Sequence, residues 1–362
     1  MPMSDFRILV INPGSTSTKL SYFVGSEEAA PGRIEHPMDE LGRFPDIPSQ
    51  LEYRLGIVEV FMRANGIIEK GLDAIAARGG LMKPVRSGTY RINQAMADDL
   101  ARSKECWGRE HASNLGAMLA LRLSEKYGVP AFTSDPVTVD EMSEVARISG
   151  VPEIERKSHL HALNIKAVLR RACIELGLEV ASSGFVVAHI GGGSSIAAVK
   201  GGQILDVNNA LLGMGPFGPA RAGALPIGDL VELAFSGLYD REGLERKLVY
   251  ESGLTGYLGT PDVREVERRM HTGDALADKV YRAMAYQTAK EIGAMAAALS
   301  GTVDAVLLTG GAANSLMFTG MVAALTAFIA PVRVYPGEFE MEALAEHARA
   351  VLAGEEEVLN YE

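Results

Sequence analysis

RILVINPGSTSTKLSYF, residues 7–23, is the stretch that decides the fold. A short apolar run, Ile8 to Ile11, breaks into an Asn-Pro-Gly turn and a hydroxyl-rich loop, then resumes as a second apolar run. This pattern predicts a β-hairpin whose tip offers backbone N–H groups and hydroxyls to an anion. Phosphate is the expected ligand, and an ordinary polar hairpin is the alternative. The residues predicted to bind it are Gly14, Ser15, Thr16 and Ser17.

The chain repeats this plan in GFVVAHIGGGSSIAAV, residues 184–199. Aligning Gly14-Ser15-Thr16 with Gly193-Ser194-Ser195 makes the two halves look like copies of one plan. A third glycine cluster, AVLLTGGAANS at residues 305–315, also follows a buried-type strand and leads toward a helix. Two facing phosphate hairpins and a nucleoside-side glycine turn predict a two-lobed nucleotide cleft.

These segments resemble the acetate kinase branch of the superfamily of acetate and sugar kinases, heat-shock chaperones and actin, and within it the butyrate kinases. INPGSTSTKLS resembles the family's first phosphate loop, AHIGGGSSIAA its second, and LLTGGAANS its adenosine motif. Five further segments match butyrate kinases in the expected order, so the likeness covers nearly the whole chain. They are EHASNLGAM, DPVTVDEM, RKSHLHALNIKAV, VNNALLGMGPFGPARAG and YPGEFEMEALA.

The resemblance implies an α/β chain with a two-lobed actin-like ATPase fold, in which duplicated ribonuclease H-like domains enclose a nucleotide cleft. It places residues 1–160 and a returning helix at 341–362 in an N-terminal lobe, and residues 161–340 in a C-terminal lobe. The implied activity is reversible, in-line phosphoryl transfer from ATP to a short-chain carboxylic acid, with Mg²⁺, giving an acyl phosphate and ADP.

Composition is consistent with a soluble, cytoplasmic enzyme of two domains. The chain has 362 residues, 47% of them hydrophobic, which is enough for two cores. A net charge of −11 disfavours a nucleic-acid partner. We expect no secretory leader before Arg7, no membrane helix, and no disulfide between Cys106 and Cys173. The resemblance also suggests a homo-oligomer.

The apolar patterns predict the main helices and strands between these loops. Predicted strands cover residues 74–77 and 130–133. Predicted helices cover residues 52–64, 95–102, 114–126, 161–177, 275–300 and 341–352.

Other motifs in the chain are poor matches to known sites. Gly213 to Gly218 satisfies GxGxxG, but Pro216 and Pro219 obstruct the helix that a dinucleotide site requires. Gly14 to Lys19 is not a Walker loop, because Thr18 stands where that motif has its second glycine. His159 and His161 alternate as metal ligands do on a strand, yet no neighbouring Cys or His completes a zinc set.

Phosphorylation of a carboxylate needs no general base, because a carboxylate with a pKa of ~4–5 is already ionised at neutral pH. Catalysis then depends on aligning two anions and on neutralising the charge of the transferring phosphoryl group. The resemblance assigns Arg221 as the phosphoryl-clamping arginine and His161 as the transition-state histidine. His111 matches an active-site histidine, and Asn12 orients phosphate or metal-bound water.

Two acidic residues match the family's magnesium site. Asp135 corresponds to the acidic residue near the ion and Glu340 to the carboxylate beside it, with Glu338 and Asp140 as alternates. Few carboxylates are expected because Mg²⁺ retains water ligands. The nucleotide-binding residues implied for the later loops are His189, Gly191, Gly192, Gly193, Ser194, Gly310, Gly311, Ala312 and Asn314.

The chain departs from acetate kinases at two positions. Ile75 stands where they carry a second active-site arginine, while Arg78 lies directly before Gly79-Gly80, as in the butyrate-like variant. Arg78 is therefore a candidate catalytic residue. Ala222 replaces a serine after the clamp, which removes a hydroxyl.

The expected substrate is an acid of two to five carbons, with butyrate or isobutyrate favoured. Each buried methylene contributes only about 0.8 kcal/mol, so chain-length preference will be modest. Leu160 and Phe217 are candidates for the acyl wall. An actin-like or chaperone-like ATP switch, or a sugar kinase using Asp135 as a base, remains an alternative function.

Overall fold

The computed structural model describes residues 5–362, and its chain divides into two compact units. The first unit is Met1–Val139 with Phe339–Glu362, and the second is Asp140–Glu338. The division precedes the lobe boundary expected between residues 160 and 161. The last segment of the chain belongs to the first unit.

Both units combine strands with helices. Within residues 5–362 the strands are β1 (Arg7–Pro13), β2 (Ser17–Val24), β3 (Glu27–Glu35), β4 (Ala74–Ala77), β5 (Thr89–Arg91), β6 (Ala131–Ser134), β7 (Gly184–Ile190), β8 (Ser194–Lys200), β9 (Gln203–Val207), β10 (Ala305–Gly310), β11 (Val332–Pro336) and β12 (Val358–Asn360). The α-helices are α1 (Met38–Leu41), α2 (Leu51–Ala64), α3 (Ile67–Lys70), α4 (Gln94–Ala101), α5 (Ser103–Trp107), α6 (Asn114–Tyr127), α7 (Glu144–Arg147), α8 (Ala162–Leu176), α9 (Ile227–Phe235), α10 (Arg241–Tyr250), α11 (Gly253–Leu258), α12 (Val263–His271), α13 (Ala275–Ala298), α14 (Leu316–Thr326) and α15 (Glu340–Leu352).

The first unit contains a mixed sheet with the strand order β12-β5-β6-β4-β1-β2-β3. Strand β1 pairs antiparallel with β2 and parallel with β4, and Ile11 lies beside Ala77. Because parallel strands end at the same edge of a sheet, the residues that follow, Asn12 and Arg78, emerge together. Helix α15 packs against β1 and β4, which brings Glu340 at its first turn to the same edge.

The second unit contains a sheet with the strand order β11-β10-β7-β8-β9. Strand β7 pairs antiparallel with β8 and parallel with β10, and His189 lies beside Thr309. The strands β7 and β10 are buried along their whole length, as is usual for parallel strands covered on both faces. Helices α13 and α8 pack against this sheet.

Each unit has its own hydrophobic core. In the first, residues such as Leu9, Ile75 and Leu119 pack together, and all three are fully buried. In the second, Val186, Leu308 and Tyr281 do the same. The chain therefore builds two cores, as its length and composition predict.

The strand and helix predictions are confirmed to within two residues at their ends. Both glycine hairpins form, and the long helix predicted at residues 275–300 is α13. The proposed alignment of the two hairpins is wrong by strand position, however. Residues 14–16 follow β1, whereas 191–193 follow β7, so Gly14 corresponds to Gly191 and not to Gly193.

Two further expectations can be compared with the structure. Cys106 is exposed and Cys173 is buried, and both are free thiols. Within the described residues, none of the helices combines the length and the apolar character that a membrane crossing requires.

Candidate active site

The first unit brings three predicted site residues into one buried cluster. The Asn12 Nδ2 donates to Glu340 Oε2 over 2.8 Å, and the Arg78 Nη1 lies 3.0 Å from the same oxygen. Asn12 is 4% and Glu340 2% exposed, although 328 positions separate them in sequence. An acid, an amide and a guanidinium therefore meet where β1, β4 and α15 end or begin.

The turn after Arg78 depends on the absence of side chains. A Cβ on Gly80 would lie 2.2 Å from Asn114 Oδ1, and one on Gly116 would lie 2.3 Å from Arg78 O. The two glycines let the first turn of α6 approach the Arg78-Gly79-Gly80 turn closely. They fix the backbone from which Arg78 extends.

The predicted anion loop is the tip of the β1–β2 hairpin. Gly14 N–H donates to Ser17 O over 2.7 Å, which closes the turn. Ser15 and Thr16 are exposed, while Ser17 is buried. The hydroxyls of Ser15 and Thr16 are thus available to a ligand.

Asp135 is held at the end of β6 by its neighbours. It is 3% exposed, and its Oδ1 accepts from Ser87 Oγ over 2.6 Å and from Gly88 N–H over 3.0 Å. Its φ is 42°, in the left-handed region where non-glycine residues are uncommon. These bonds leave Oδ2 of this buried carboxylate to face other groups.

His111 lies just before α6. Its Nδ1 accepts from Ser113 N–H over 3.2 Å and lies 2.8 Å from Ser113 Oγ. This contact assigns the proton of a neutral imidazole to Nε2, and it makes His111 part of the start of the helix.

In the second unit, the β7–β8 turn and Arg221 lie in direct contact. Arg221 Nη1 donates to Ala210 O over 2.5 Å, and a Cβ on Gly193 would lie 1.9 Å from that Nη1. A Cβ on Gly192 would meet nothing within 4 Å. Gly193, rather than Gly192, is therefore the close-approach glycine of this turn. Ser194 Oγ is buried and has no hydrogen-bond partner among the described residues.

His161 is fixed at the start of α8 by a serine and by a second histidine. Ser195 Oγ accepts from His161 N–H over 3.2 Å and lies 2.8 Å from His161 Nδ1, within hydrogen-bond distance of the ring. The ring stacks on His189 with 3.9 Å between centroids and 7° between planes. The serine and the stacked ring together fix the orientation of the His161 imidazole.

His189 lies within strand β7 and not in the loop where it was expected. It is fully buried, and Asn164 Nδ2 lies 2.8 Å from its Nδ1 and 3.1 Å from Thr309 Oγ1. A phosphate at the loop would meet backbone and hydroxyls first. Asn164 could not be recognised as a site residue from the sequence, because an amide on an apolar helix face resembles core packing.

The third glycine cluster forms a tight turn after β10. Gly310 has a φ of 89°, and a Cβ there would lie 2.5 Å from Ile190 O. Gly311–Asn314 form one 3-10 turn, closed by Asn314 Nδ2 donating to Gly311 O. Ala312 is buried and Gly311 borders open space. This open, side-chain-free surface can accept a flat ligand.

An apolar cavity of about 350 Å³ adjoins Arg221 in the second unit. Neither predicted acyl-wall residue lines it: Leu160 is buried before α8, and Phe217 packs in the core and borders a second cavity. Ser194, Asn209 and Ala222 are among the lining residues of the first cavity. Its aliphatic walls are Leu211, Leu212, Leu225, Ile227, Leu230 and Leu248.

The alternates for a metal site have other contacts. Asp140 is bound by both terminal nitrogens of Arg147, over 2.5 and 2.8 Å. Within residues 5–362, no group of three or more His, Cys, Asp or Glu side chains is arranged to hold a metal ion. Any ion at Asp135 and Glu340 would need further ligands from elsewhere.

The chain is similar to proteins of known family. Residues 153–328 match the model of the acetokinase family. "Probable butyrate kinase 2" of Caldanaerobacter subterraneus subsp. tengcongensis is 48% identical over 351 residues, which cover 97% of this chain and 98% of that protein. "Probable butyrate kinase" of Listeria monocytogenes is 46% identical over 357 residues, which cover 99% and 100%. The crystal structure of Porphyromonas gingivalis acetate kinase matches with a TM-score of 0.80 and 22% identity, covering 96% of this chain and all of the other.

Proposed function

The chain belongs to the acetokinase family, among relatives named butyrate kinase, and from that premise we propose how its residues phosphorylate a short-chain carboxylate with ATP. The fold is the actin-like ATPase fold of that family. The observation that carries the proposal is the apolar cavity in which Arg221 meets the turn at Ser194. A substrate carboxylate that forms an ion pair with the Arg221 guanidinium would direct its alkyl chain toward the aliphatic walls of the cavity.

Arg221, His161 and Ser194 of the second unit act on the transferring phosphoryl group in this proposal. The carboxylate is ionised at neutral pH and attacks phosphorus without a base. Arg221 neutralises charge on the transferring phosphoryl group, and the imidazole of His161 donates a hydrogen bond to it. The stack on His189 and the contact with Ser195 hold the His161 ring in place. Ser194 Oγ, buried without a partner in the described chain, would donate to the same group.

Arg78 supports the phosphate loop rather than the acyl group. It pairs with Glu340 in a buried site, so its charge is already offset in part. Asn12 donates to the same carboxylate, which leaves the amide oxygen of Asn12 for a bound water. We infer that this cluster orders the phosphate end of the nucleotide, and that His111, just before α6, is the active-site histidine of the first unit.

Mg²⁺ fits the acidic residues of the first unit. Asp135 has an oxygen outside its bonds to Ser87 and Gly88, and Glu340 is a second buried carboxylate. One or two carboxylates with waters and substrate phosphates are the usual Mg²⁺ environment. Asp135 and Glu340 would hold the ion, which supplies charge neutralisation for the phosphates when bound.

The cavity has room for an acyl chain of four carbons. Its walls are aliphatic and its volume of about 350 Å³ exceeds what a methyl group fills. Each added methylene contributes about 0.8 kcal/mol, or about fourfold in kcat/KM. Butyrate and isobutyrate should therefore be better substrates than acetate.

One panel of assays tests this function. ADP release should be measured with acetate, butyrate, isobutyrate, glucose and no acceptor. We expect butyrate and isobutyrate to give the highest kcat/KM, acetate a lower value, and glucose none above background. Release without any acceptor would favour an ATP switch, and release with glucose a sugar kinase.

The proposal extends to the oligomeric state and the location of the enzyme. A homo-oligomer is consistent with the exposed apolar side chains of Val231, Phe235 and Leu238 on and after α9, and light scattering would test it. A cytoplasmic location is expected of an enzyme that uses ATP, and fractionation would test it.

A further inference from the structure

Arg54 on helix α2 is a fully buried arginine that the function described above does not use. Its side chain is 0% exposed and is the largest of the fully buried side chains. Arginine is almost never buried to this degree unless it is paired. The contacts of Arg54 should therefore explain why its charged side chain is buried.

The Arg54 guanidinium contacts the back of the predicted phosphate loop. Nη1 donates to Gly14 O over 2.9 Å and to Thr18 Oγ1 over 3.2 Å, and Nη2 reaches Ser15 O over 3.4 Å. Gln50, one helical turn earlier, accepts from Nε over 3.1 Å and from Nη2 over 2.9 Å. The Gln50 amide therefore fixes the orientation of the Arg54 guanidinium, and the guanidinium holds the β1–β2 loop in place.

These bonds determine which side of the loop faces outward. Arg54 binds carbonyl oxygens of Gly14 and Ser15 on the inner side. The hydroxyls of Ser15 and Thr16 lie on the exposed side. A loop that turns its carbonyls inward presents donors to an anion, and Arg54 stabilises that orientation before any ligand arrives.

The charge of Arg54 lacks an acidic partner. Among residues 5–362 it forms no ion pair with a carboxylate, since its bonds go to carbonyls, a hydroxyl and an amide. Burial lowers its pKa to about 10, so it stays charged at neutral pH. Its neighbour His36, whose pKa burial lowers to about 4, is neutral there. A buried charge without a counter-ion is costly, and an anion at the loop would offset it.

We propose that Arg54 is a positioning residue for the nucleotide phosphate, holding the β1–β2 loop with its donors outward and attracting the phosphate by its buried charge. This inference rests on the proposed function, which places a phosphate at that loop. A positioning residue can be told from a residue with only a structural role by its effect on binding. A structural residue affects only the stability of the fold, whereas a positioning residue changes nucleotide affinity more than carboxylate affinity.

Two substitutions separate these roles. Arg54→Lys keeps the charge and loses the fork, while Arg54→Met removes both with similar length. Arg63→Met is the matched control, because Arg63 lies on the same helix but is exposed and pairs with Glu59. The measurements are the Kd for Mg-ADP by calorimetry, the KM values for ATP and butyrate, and far-UV circular dichroism for folding.

We expect Arg54→Met to raise the Kd for Mg-ADP about 10- to 100-fold, and Arg54→Lys by a smaller factor, as loss of a hydrogen bond to a charged group implies. The KM for butyrate should change by less than about threefold, and Arg63→Met should resemble the parent. Should Arg54→Met not fold, Arg54→Lys decides the question by the same comparison.

Folded variants that bind Mg-ADP as the parent does, or that lose nucleotide and butyrate affinity equally, would overturn the inference and leave the proposed function standing. A parent that binds no Mg-ADP would overturn the proposed function, and this inference with it.

Discussion

Arg221 is the residue on which the proposed chemistry depends most. It lines the cavity, and the same guanidinium is pinned to Ala210 O beside the β7–β8 turn. Arg221→Ala should lower kcat about 10²- to 10³-fold with a smaller change in KM, because a charge clamp acts mainly in the transition state. Steady-state kinetics with butyrate would measure this, with the exposed Arg264→Ala as control. Near-normal kcat would contradict the assignment.

Glu340 provides a test of the proposed magnesium site. Glu340→Gln removes the carboxylate charge and the ion pair with Arg78. The Mg²⁺ concentration for half-maximal activity should rise about tenfold, with a lower kcat. Asp140→Asn is the control, because Arg147 already binds Asp140. A shift in the control and none in Glu340→Gln would transfer the role to Asp140.

His36 should make the stability of the first unit depend on pH. It is 3% exposed, lies 2.8 Å from Thr18 Oγ1, and has a pKa lowered from 6.5 to about 4 by burial and by Arg54. The unfolded chain then binds a proton that the folded chain does not, so stability is full above pH 6.5 and falls as pH drops toward 4.

Melting temperatures of the parent and His36→Gln at pH 7.5 and pH 5 would measure the effect. The loss on acidification should be smaller in His36→Gln than in the parent. His271→Gln, at an exposed position, should behave as the parent. An equal loss in all three would show that other groups cause the acid sensitivity.

Single residues differ in how far the sequence could predict them. Asn12 and Glu340 could be assigned to one site because both lie in motifs of the family, although only the structure shows their hydrogen bond. Arg54 could not, because an arginine on an amphipathic helix reads as a surface residue. Its partners are backbone carbonyls, which leave no trace in a sequence.

At the scale of elements, the β7–β8 turn predicts different tolerances at its glycines. Gly193→Ala would force Arg221 away, since its Cβ would lie 1.9 Å from Nη1, while Gly192 borders open space. Gly193→Ala should lower kcat at least about tenfold, and Gly192→Ala much less. Kinetics of both, with melting temperatures as a folding control, would measure this. Equal losses would show that the turn does not act through Arg221.

Strands and helices were predictable because their apolar periods are regular, as in α13 and in the hairpin β7–β8. The correspondence between the residues of the two hairpins could not be predicted in this way. Matching by residue type paired Gly14 with Gly193, but the antiparallel register starts each turn directly after its first strand, at Gly14 and Gly191. Strand register is set by pairing across the sheet, and the sequence of a single strand does not specify that pairing.

At the scale of the whole molecule, the residues that line the acyl cavity could not be predicted from their positions in the sequence. Leu160 and Phe217 are near Arg221 and His161 in sequence and were the natural candidates for its wall. The cavity is instead lined by Leu225, Ile227 and Leu248, from α9, α10 and the segment before them. Residues near one another in sequence share an element, whereas a cavity is enclosed by several elements.

The two cores predict that the molecule responds locally to core substitutions. Leu344 on α15 is fully buried in the first unit, and Leu308 on β10 is fully buried in the second. Either change to Ala should cost about 2–5 kcal/mol in the unit that contains it, through lost burial and a cavity. Because Leu344 lies in the last segment of the chain, its effect also tests whether that segment stabilises the N-terminal unit.

Amide hydrogen exchange, read by mass spectrometry, would resolve the response. Leu344→Ala should raise exchange in β1 and β4, which α15 covers, more than in β7 and β10. Leu308→Ala should do the reverse. The exposed Leu316→Ala on α14 is the control and should change neither. If both core variants raised exchange equally in all four strands, the two cores would unfold as one cooperative unit, and the division of the chain at Asp140 would have no counterpart in its stability.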